Sequence, residues 1–256
     1  MLGYEVDFGM EQVKKLLGGA TFAEKVAGYM AVSVLVGQQD ESMGAVCAAI
    51  REDLRSPLDS VQCMALSAIA NKGGKRMGAA LAPDVREKTF SVAAFPPVRR
   101  RAALALLRVF RVDPDYLPLP EYSPQVLKLL DDRDVSVKMA GLLLLTGVAP
   151  KALDSFASAY HHTNAPWFQV QCLRFLQLFP RPSEAGVDSI LCETLEKILN
   201  GTKITRSVNR NNADHAELFE AVNLIIKYGE ESETSMRNLA MQHLTRFINI
   251  KEPNIR

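Results

Sequence analysis

One pattern limits what this chain can become. An apolar residue, a small residue four positions on and another apolar residue four after that return at long intervals. The fullest copy lies in Val98 to Pro114, VRRRAALALLRVFRVDP. At 100° per residue, Val98, Ala102, Ala105, Leu106, Val109 and Phe110 fall on one side, and Ala103 and Leu107 widen the arc to about half the circumference. Arg100, Arg101, Arg108 and Arg111 gather opposite, with Leu104 alone out of place. A surface helix needs an apolar stripe of only about 100°, so this helix is shaped to touch neighbours on two sides. Pro97 sits at its start, where a missing N–H costs nothing, and Asp113-Pro114 marks its stop.

Val98/Ala102/Leu106 has counterparts in Val61/Ala65/Ile69, Val137/Gly141/Leu145 and Phe168/Cys172/Leu176, with looser copies centred on Gly28 and Ala221. The small residues stand 37, 37, 39, 31 and 49 positions apart. They are needed where two helices cross closely, because a large side chain there pushes the backbones apart. A period near forty with one long helix per copy predicts an all-α fold, an α-solenoid of HEAT/armadillo-like helix pairs. The alternative is a non-repetitive helical bundle with chance spacing. On the repeat reading, residues 1–256 are one helical-repeat region truncated at both ends. A structured protein is expected upstream of Met1, and Glu252 to Arg256 resembles the opening of another copy.

Lys and Arg number 30 against 29 Asp and Glu, a net charge of +1 that favours neither a nucleic-acid binder nor an acidic tail. The longest apolar run, near Leu142–Leu145, is far shorter than the ~18 residues of a membrane span. No signal peptide opens the chain. Cys47, Cys63, Cys172 and Cys192 lie far apart with no CxxC pair, so buried free thiols in a reducing cytosol are expected.

Taken in order, helices are expected over Met10–Leu17, Phe22–Val36, Asp40–Leu54, Pro57–Asn71 and Met77–Phe90, the last disturbed at Pro83. Pro114, Pro118, Pro120 and Pro124 predict a stiff connection, with Ser123-Pro124 opening a short helix through Leu130. Asp131, Asp132 and Asp134 offer caps to a helix over Val135–Val148. Further helices are expected over Trp167–Phe179, Glu184–Leu199, His215–Tyr228 and Met236–Ile248, with Lys203 to Asn212 as a loop. No convincing strand pattern occurs.

Chemical motifs are missing. There is no GxSxG elbow, no HExxH and no Gly-rich dinucleotide loop, so no catalytic or cofactor-binding residue is assigned. His161-His162 has no other ligand at metal spacing. Lys72-Gly73-Gly74-Lys75-Arg76 lacks the spacing of a phosphate loop and reads as a solvated turn. Lys203, Arg206 and Arg210 form a second basic cluster, and Asn200-Gly201-Thr202 is a glycosylation sequon with no role in the cytosol. Basic residues are not interleaved with exposed aromatics, so no nucleic-acid partner is expected.

Several segments, in order along the chain, resemble the N-terminal trunk of alpha-adaptin, the large subunit of the clathrin adaptor at the plasma membrane. They are Val6 to Gly9, KVAGYMAVSVLV from Lys25, IREDL from Ile50, RRAALALLRVFRVDPD ending at Asp115, Ala165-Pro166-Trp167 with Leu173 to Gln177, and LFEAVNLII from Leu218. Gamma-type large subunits share the first segments; Ala-Pro-Trp and LFEAVNLII look closer to alpha. The family pattern carries a longer stretch where this chain has Pro150 to Asn164. The resemblance implies a scaffold, not an enzyme, without cofactors or metals. It implies sigma, beta and mu adaptor subunits as partners and a site of action at clathrin-coated pits on the cytosolic face of the plasma membrane. The family's phosphoinositide and cargo-signal sites are expected upstream of Met1, and its hinge and ear beyond Arg256, so no lipid-binding residue is assigned here. The alternatives are a gamma-type Golgi or endosomal adaptin, an unrelated helical-repeat binding scaffold, or an all-α enzyme.

Overall fold

The computed structural model describes residues 9–37, 42–148, 166–201, 208–229 and 234–248. Among them every regular element is a helix. The chain divides into two compact units, Met1–Ala159 and Tyr160–Arg256.

The first unit holds α1 (Met10–Leu17), α2 (Phe22–Leu35), α3 (Met43–Leu54), α4 (Asp59–Lys72), α5 (Lys75–Phe90), α6 (Pro96–Val112), α7 (Leu119–Lys128) and α8 (Val135–Val148). Consecutive helices pair, α1 with α2, α3 with α4, α5 with α6 and α7 with α8. The pairs stack so that α2, α4, α6 and α8 form one layer while α1, α3 and α5 form another. This is the solenoid the period predicts. The apolar arc of α6 is buried at Val98, Ala102, Ala103, Ala105, Leu106, Leu107, Val109 and Phe110 against α4, α5 and α8, whereas Leu104 is half-buried.

The small anchors sit where backbones close on one another. A Cβ on Gly28 would lie 3.0 Å from the Leu17 backbone nitrogen, so α2 crosses the end of α1 closely enough that a side chain there would have to displace the α1 backbone. On Gly141 it would lie 2.7 Å from Leu129 Cβ in the 3₁₀ turn Leu129–Asp131. Ala65 and Ala102 are fully buried.

Helices leave their last carbonyls without internal partners, and here a cation from the next layer helix supplies them. Lys72 Nζ lies 3.5 Å from the oxygen of Val36, the residue that ends α2. Arg108 Nε donates at 3.0 Å to the oxygen of Gly73, which ends α4. The two cations follow their anchors, Ala65 and Ala102, by seven and six residues.

Local differences from the sequence expectations have physical causes. Lys72 finishes α4 and Lys75-Arg76 begin α5, so the expected turn narrows to Gly73-Gly74. Pro57 stands just outside α4, before the capping position Leu58. Pro83 lies inside α5 without ending it, and Arg51 reaches from α3 to donate to the Ala80 oxygen and, at 3.2 Å, to Asp84 Oδ2, tying α5 to α3 on both sides of the ring. α7 begins at Leu119, ahead of Ser123, with Pro120 in its first turn where no N–H is required. Asp134 caps α8 as expected, accepting from the Ser136 nitrogen at 2.8 Å.

The second unit contains α9 (Pro166–Leu176), α10 (Ala185–Gly201), α11 (Val208–Tyr228) and α12 (Thr234–Ile248). α11 packs on α9, α10 and α12, and its anchor Ala221 is fully buried with Leu218, Val222, Leu224 and Ile225 around it. The cation-to-carbonyl tie recurs. Lys227, six residues after Ala221, donates to the oxygens of Gln177 and, at 2.9 Å, Phe179, just past the end of α9. α11 starts at Val208 instead of His215. Extending a helix already packed at Ala213 and Leu218 costs little per residue even where the sequence shows no apolar period. Of the expected loop Lys203 to Asn212, residues 208–212 are helical and the others lie outside the described residues.

Candidate functional site

The segments that carry the adaptin resemblance are brought together in pairs, and mostly as core. Lys25 from KVAGYMAVSVLV meets Asp53 from IREDL at 2.6 Å, and the Tyr29 hydroxyl donates to the other oxygen of Asp53 at 2.7 Å. Lys25 also donates to the Leu17 oxygen at 2.9 Å. This cluster pins α1, α2 and α3, with Asp53 almost fully buried. Burial and the Asp53 carboxylate push the Tyr29 hydroxyl far above the usual tyrosine range. In the second unit Glu220 from LFEAVNLII accepts from Arg174 Nε at 2.7 Å and Gln177 Nε2 at 2.8 Å, both from the segment Leu173 to Gln177. Of LFEAVNLII, Leu218, Ala221, Val222, Leu224 and Ile225 are buried, Phe219 and Glu220 are half-buried and Asn223 and Ile226 are exposed, as is Trp167 of the Ala-Pro-Trp motif.

No group of three or more His, Cys, Asp and Glu able to hold a metal occurs among the described residues. His161-His162, Lys203, Arg206 and the shortened stretch Pro150 to Asn164 lie outside them, as does the side chain of Arg210. The cysteines are free. Burial pushes the Cys172 thiol up to about 12, and raises Cys47 and Cys63, so these thiols stay protonated and unreactive at neutral pH. No helix of the described residues is long and apolar enough to cross a membrane.

A cleft of about 300 Å³ between α5 and α7 is lined by Pro83, Arg86, Glu87, Phe90, Tyr122 and Gln125. The Arg86 guanidinium lies 5.3 Å over the Tyr122 ring and bonds the Tyr116 oxygen, while Phe90 stacks on Tyr122 at 5.7 Å. Those contacts engage the cleft's charged and aromatic groups within the fold.

The surface carries more. Phe22, Leu58, Phe95 and Val135, all exposed, open the four helices of the first unit's continuous layer. On the outward stripe of α6, Arg101, Arg108 and Arg111 are exposed around Leu104. Arg101 bonds the Ser67 hydroxyl and Arg108 the Gly73 carbonyl, both neutral acceptors. From the sequence alone these arginines read as a merely solvated arc. Their targets belong to another helix and a backbone oxygen, which no side-chain pattern records.

Three comparisons bear on this arrangement. Against a subunit alpha-1 of the AP-2 complex from Arabidopsis thaliana the chain is 33% identical over 278 aligned residues, covering 100% of itself and 27% of that protein. Against an AP-1 complex subunit gamma-like 2 from Mus musculus it is 28% identical over 280 residues, covering 100% and 34%. The chain thus spans about a quarter to a third of these relatives. A homology model of the full-length AP-3 complex in an intermediate open conformation contains a chain of the same fold, with a TM-score of 0.70 at 19% identity, covering 100% of this chain and 44% of the other. The resemblance to alpha-adaptin agrees with the first comparison, and the family profile described as Adaptin N terminal region matches residues 1–256. The chain belongs to the adaptin family, within its N-terminal region.

Proposed function

We propose that this chain is part of the trunk of an alpha-type adaptin, a scaffold on which the other subunits of a clathrin adaptor assemble at the plasma membrane. The carrying observation is similarity over the whole chain to AP-2 alpha subunits, stronger than to the gamma-like relative. Ala165-Pro166-Trp167 and LFEAVNLII support the same choice. On this reading the two units form one continuous helical-repeat region whose helix faces hold sigma, beta and mu subunits. Its role is mechanical: stacked pairs keep binding surfaces at fixed spacing, and no step of chemistry is required of it.

The test is to co-express the parent large subunit with the sigma subunits of the plasma-membrane and Golgi-type adaptors of one organism and to compare recovery. Preferential recovery of the plasma-membrane sigma is expected, although both types are detectable because specificity is a difference of affinities. Consistent preference for the Golgi-type sigma overturns the alpha assignment. Recovery of neither overturns the proposed sigma partnership and leaves the family membership standing.

A further inference from the structure

We propose that the outward stripe of α6, formed by Arg101, Leu104, Arg108 and Arg111, docks an acidic amphipathic helix of a partner protein. Carboxylates on that helix face the arginines and an apolar side chain rests on Leu104.

α6 uses eight residues to pack against α4, α5 and α8. What remains outward includes positions 101, 104, 108 and 111, whose intervals of three, four and three residues draw a single line along a helix. Arg101, Arg108 and Arg111 on that line are exposed and Leu104 is half-buried between them.

Among the described residues the charge on this line has no carboxylate counterpart. Arg51, Arg99, Arg174 and Arg181 each meet a carboxylate: Asp84, Asp132, Glu220 and Asp188. Among the described residues none pairs with Arg101, Arg108 or Arg111. Arg101 and Arg108 are nevertheless held in place, by the Ser67 hydroxyl and the Gly73 carbonyl. A neutral acceptor fixes a guanidinium without cancelling its charge and leaves most of its five N–H donors for another group. Two positioned cations without anions, on a chain of net charge +1, make a local positive line rather than a diffuse basic surface.

The spacing specifies the occupant. Seven residues separate Arg101 from Arg108, about 10 Å of helix rise. Carboxylates seven residues apart on a facing helix repeat that distance, and an apolar residue between them falls opposite Leu104. A lipid surface calls for cations spread over a plane and gives Leu104 no role. A single-stranded nucleic acid calls for exposed aromatics among the cations, and this line has none. The inference rests on the scaffold reading only in supposing a protein partner.

The experiment uses the full chain and a labelled helical peptide of about four heptads with Glu at seven-residue spacing and Leu between, followed by fluorescence anisotropy. Binding that weakens with added salt is expected. R101Q/R108Q/R111Q should weaken it about tenfold or more, since three exposed charge pairs are removed. K15Q/K128Q/K197Q removes the same charge from exposed positions elsewhere and should change binding by less than about twofold. Equal loss in both variants, or undiminished binding of a peptide with Gln for Glu, overturns the proposal. If the stripe variant unfolds, Arg108→Glu with a peptide carrying Lys for Glu decides: restored affinity supports the contact, and none overturns it. Stripe-dependent pelleting with phosphoinositide vesicles, without peptide binding, assigns the line to a lipid headgroup instead. Sigma recovery by the parent subunit with no peptide binding sinks this inference and leaves the scaffold reading standing; peptide binding without recovery of any adaptor subunit does the reverse.

Discussion

In the first unit the carboxylate drawn into the helix packing, Asp53, meets a lysine and a tyrosine hydroxyl. In the second, the half-buried Glu217 of α11 has Asp214 as its charged neighbour, and burial together with that acid pushes Glu217 up to about 7. Both sites remove an acid from water. One supplies a counter-charge within the fold; the other leaves the proton to do so. The second unit thereby takes on a dependence on pH near neutrality.

The strongest challenge to that contrast puts a new acid at the matching anchor of each unit. Ala102→Glu and Ala221→Glu both insert bulk and charge at fully buried positions, and each is expected to destabilise its unit by about 5 kcal/mol. Urea unfolding followed separately for the two units measures it. A much cheaper Ala221→Glu would mean that the second unit accommodates acids generally, and not through the particular surroundings of Glu217.

Next comes Lys25→Met, which strands Asp53 with only the Tyr29 hydroxyl. A loss of about 3 kcal/mol is expected. The double variant Lys25→Met/Asp53→Asn should recover part of it, because the stranded charge is gone. No recovery would show that Lys25 acts by packing its stem and bonding the Leu17 oxygen, with the ion pair incidental.

A smaller effect has a definite sign. Glu217 holds its proton more tightly in the fold, at about 7, than an ordinary glutamate does at 4.5. Its contribution is therefore fully favourable below about 4.5, declines as pH rises from there to about 7, and stays lost above. Glu217→Gln should flatten that slope and make the protein more stable at pH 8 by about 1 kcal/mol, solvent screening having reduced the full linkage value. Thermal melts from pH 4 to 8 read it directly, and an unchanged slope refers the pH dependence to another group.

The least costly changes are Arg108→Gln and Lys227→Met, each removing a tie to a helix end, at about 0.5–1 kcal/mol. Similar losses in the two units would mark the tie as a shared element of the repeat. Arg108→Gln remains far cheaper than Ala102→Glu although both lie on α6.

α6 was readable almost atom for atom because burial on three sides leaves a wide apolar arc, and the anchors Gly28 and Gly141 because only glycine permits those approaches. Helix starts were less legible. Pro83 looks like a disturbance and Ser123-Pro124 like a helix start, yet α5 runs through the first and α7 through the second. The polar start of α11 shows no period because tertiary packing further along carries it. At the candidate site the four arginines of α6 were visible as an arc, but not that Ser67 and Gly73 hold two of them. Asp53 lies within IREDL, one of the segments that resemble the family, with nothing nearby in sequence to announce Lys25, 28 residues away, as its partner.

The ties of Lys72, Arg108 and Lys227 have a consequence for how such a chain tolerates change. Anchor intervals vary from 31 to 49 residues, while each of these cations stays six or seven residues behind its own anchor. Register is thus written on the anchor helices and not on the stretches between them. Where such a tie occurs, insertions and deletions in those stretches leave the spacing between cation and anchor intact. A designer wishing to splice in a repeat needs to copy one helix faithfully and can improvise the rest.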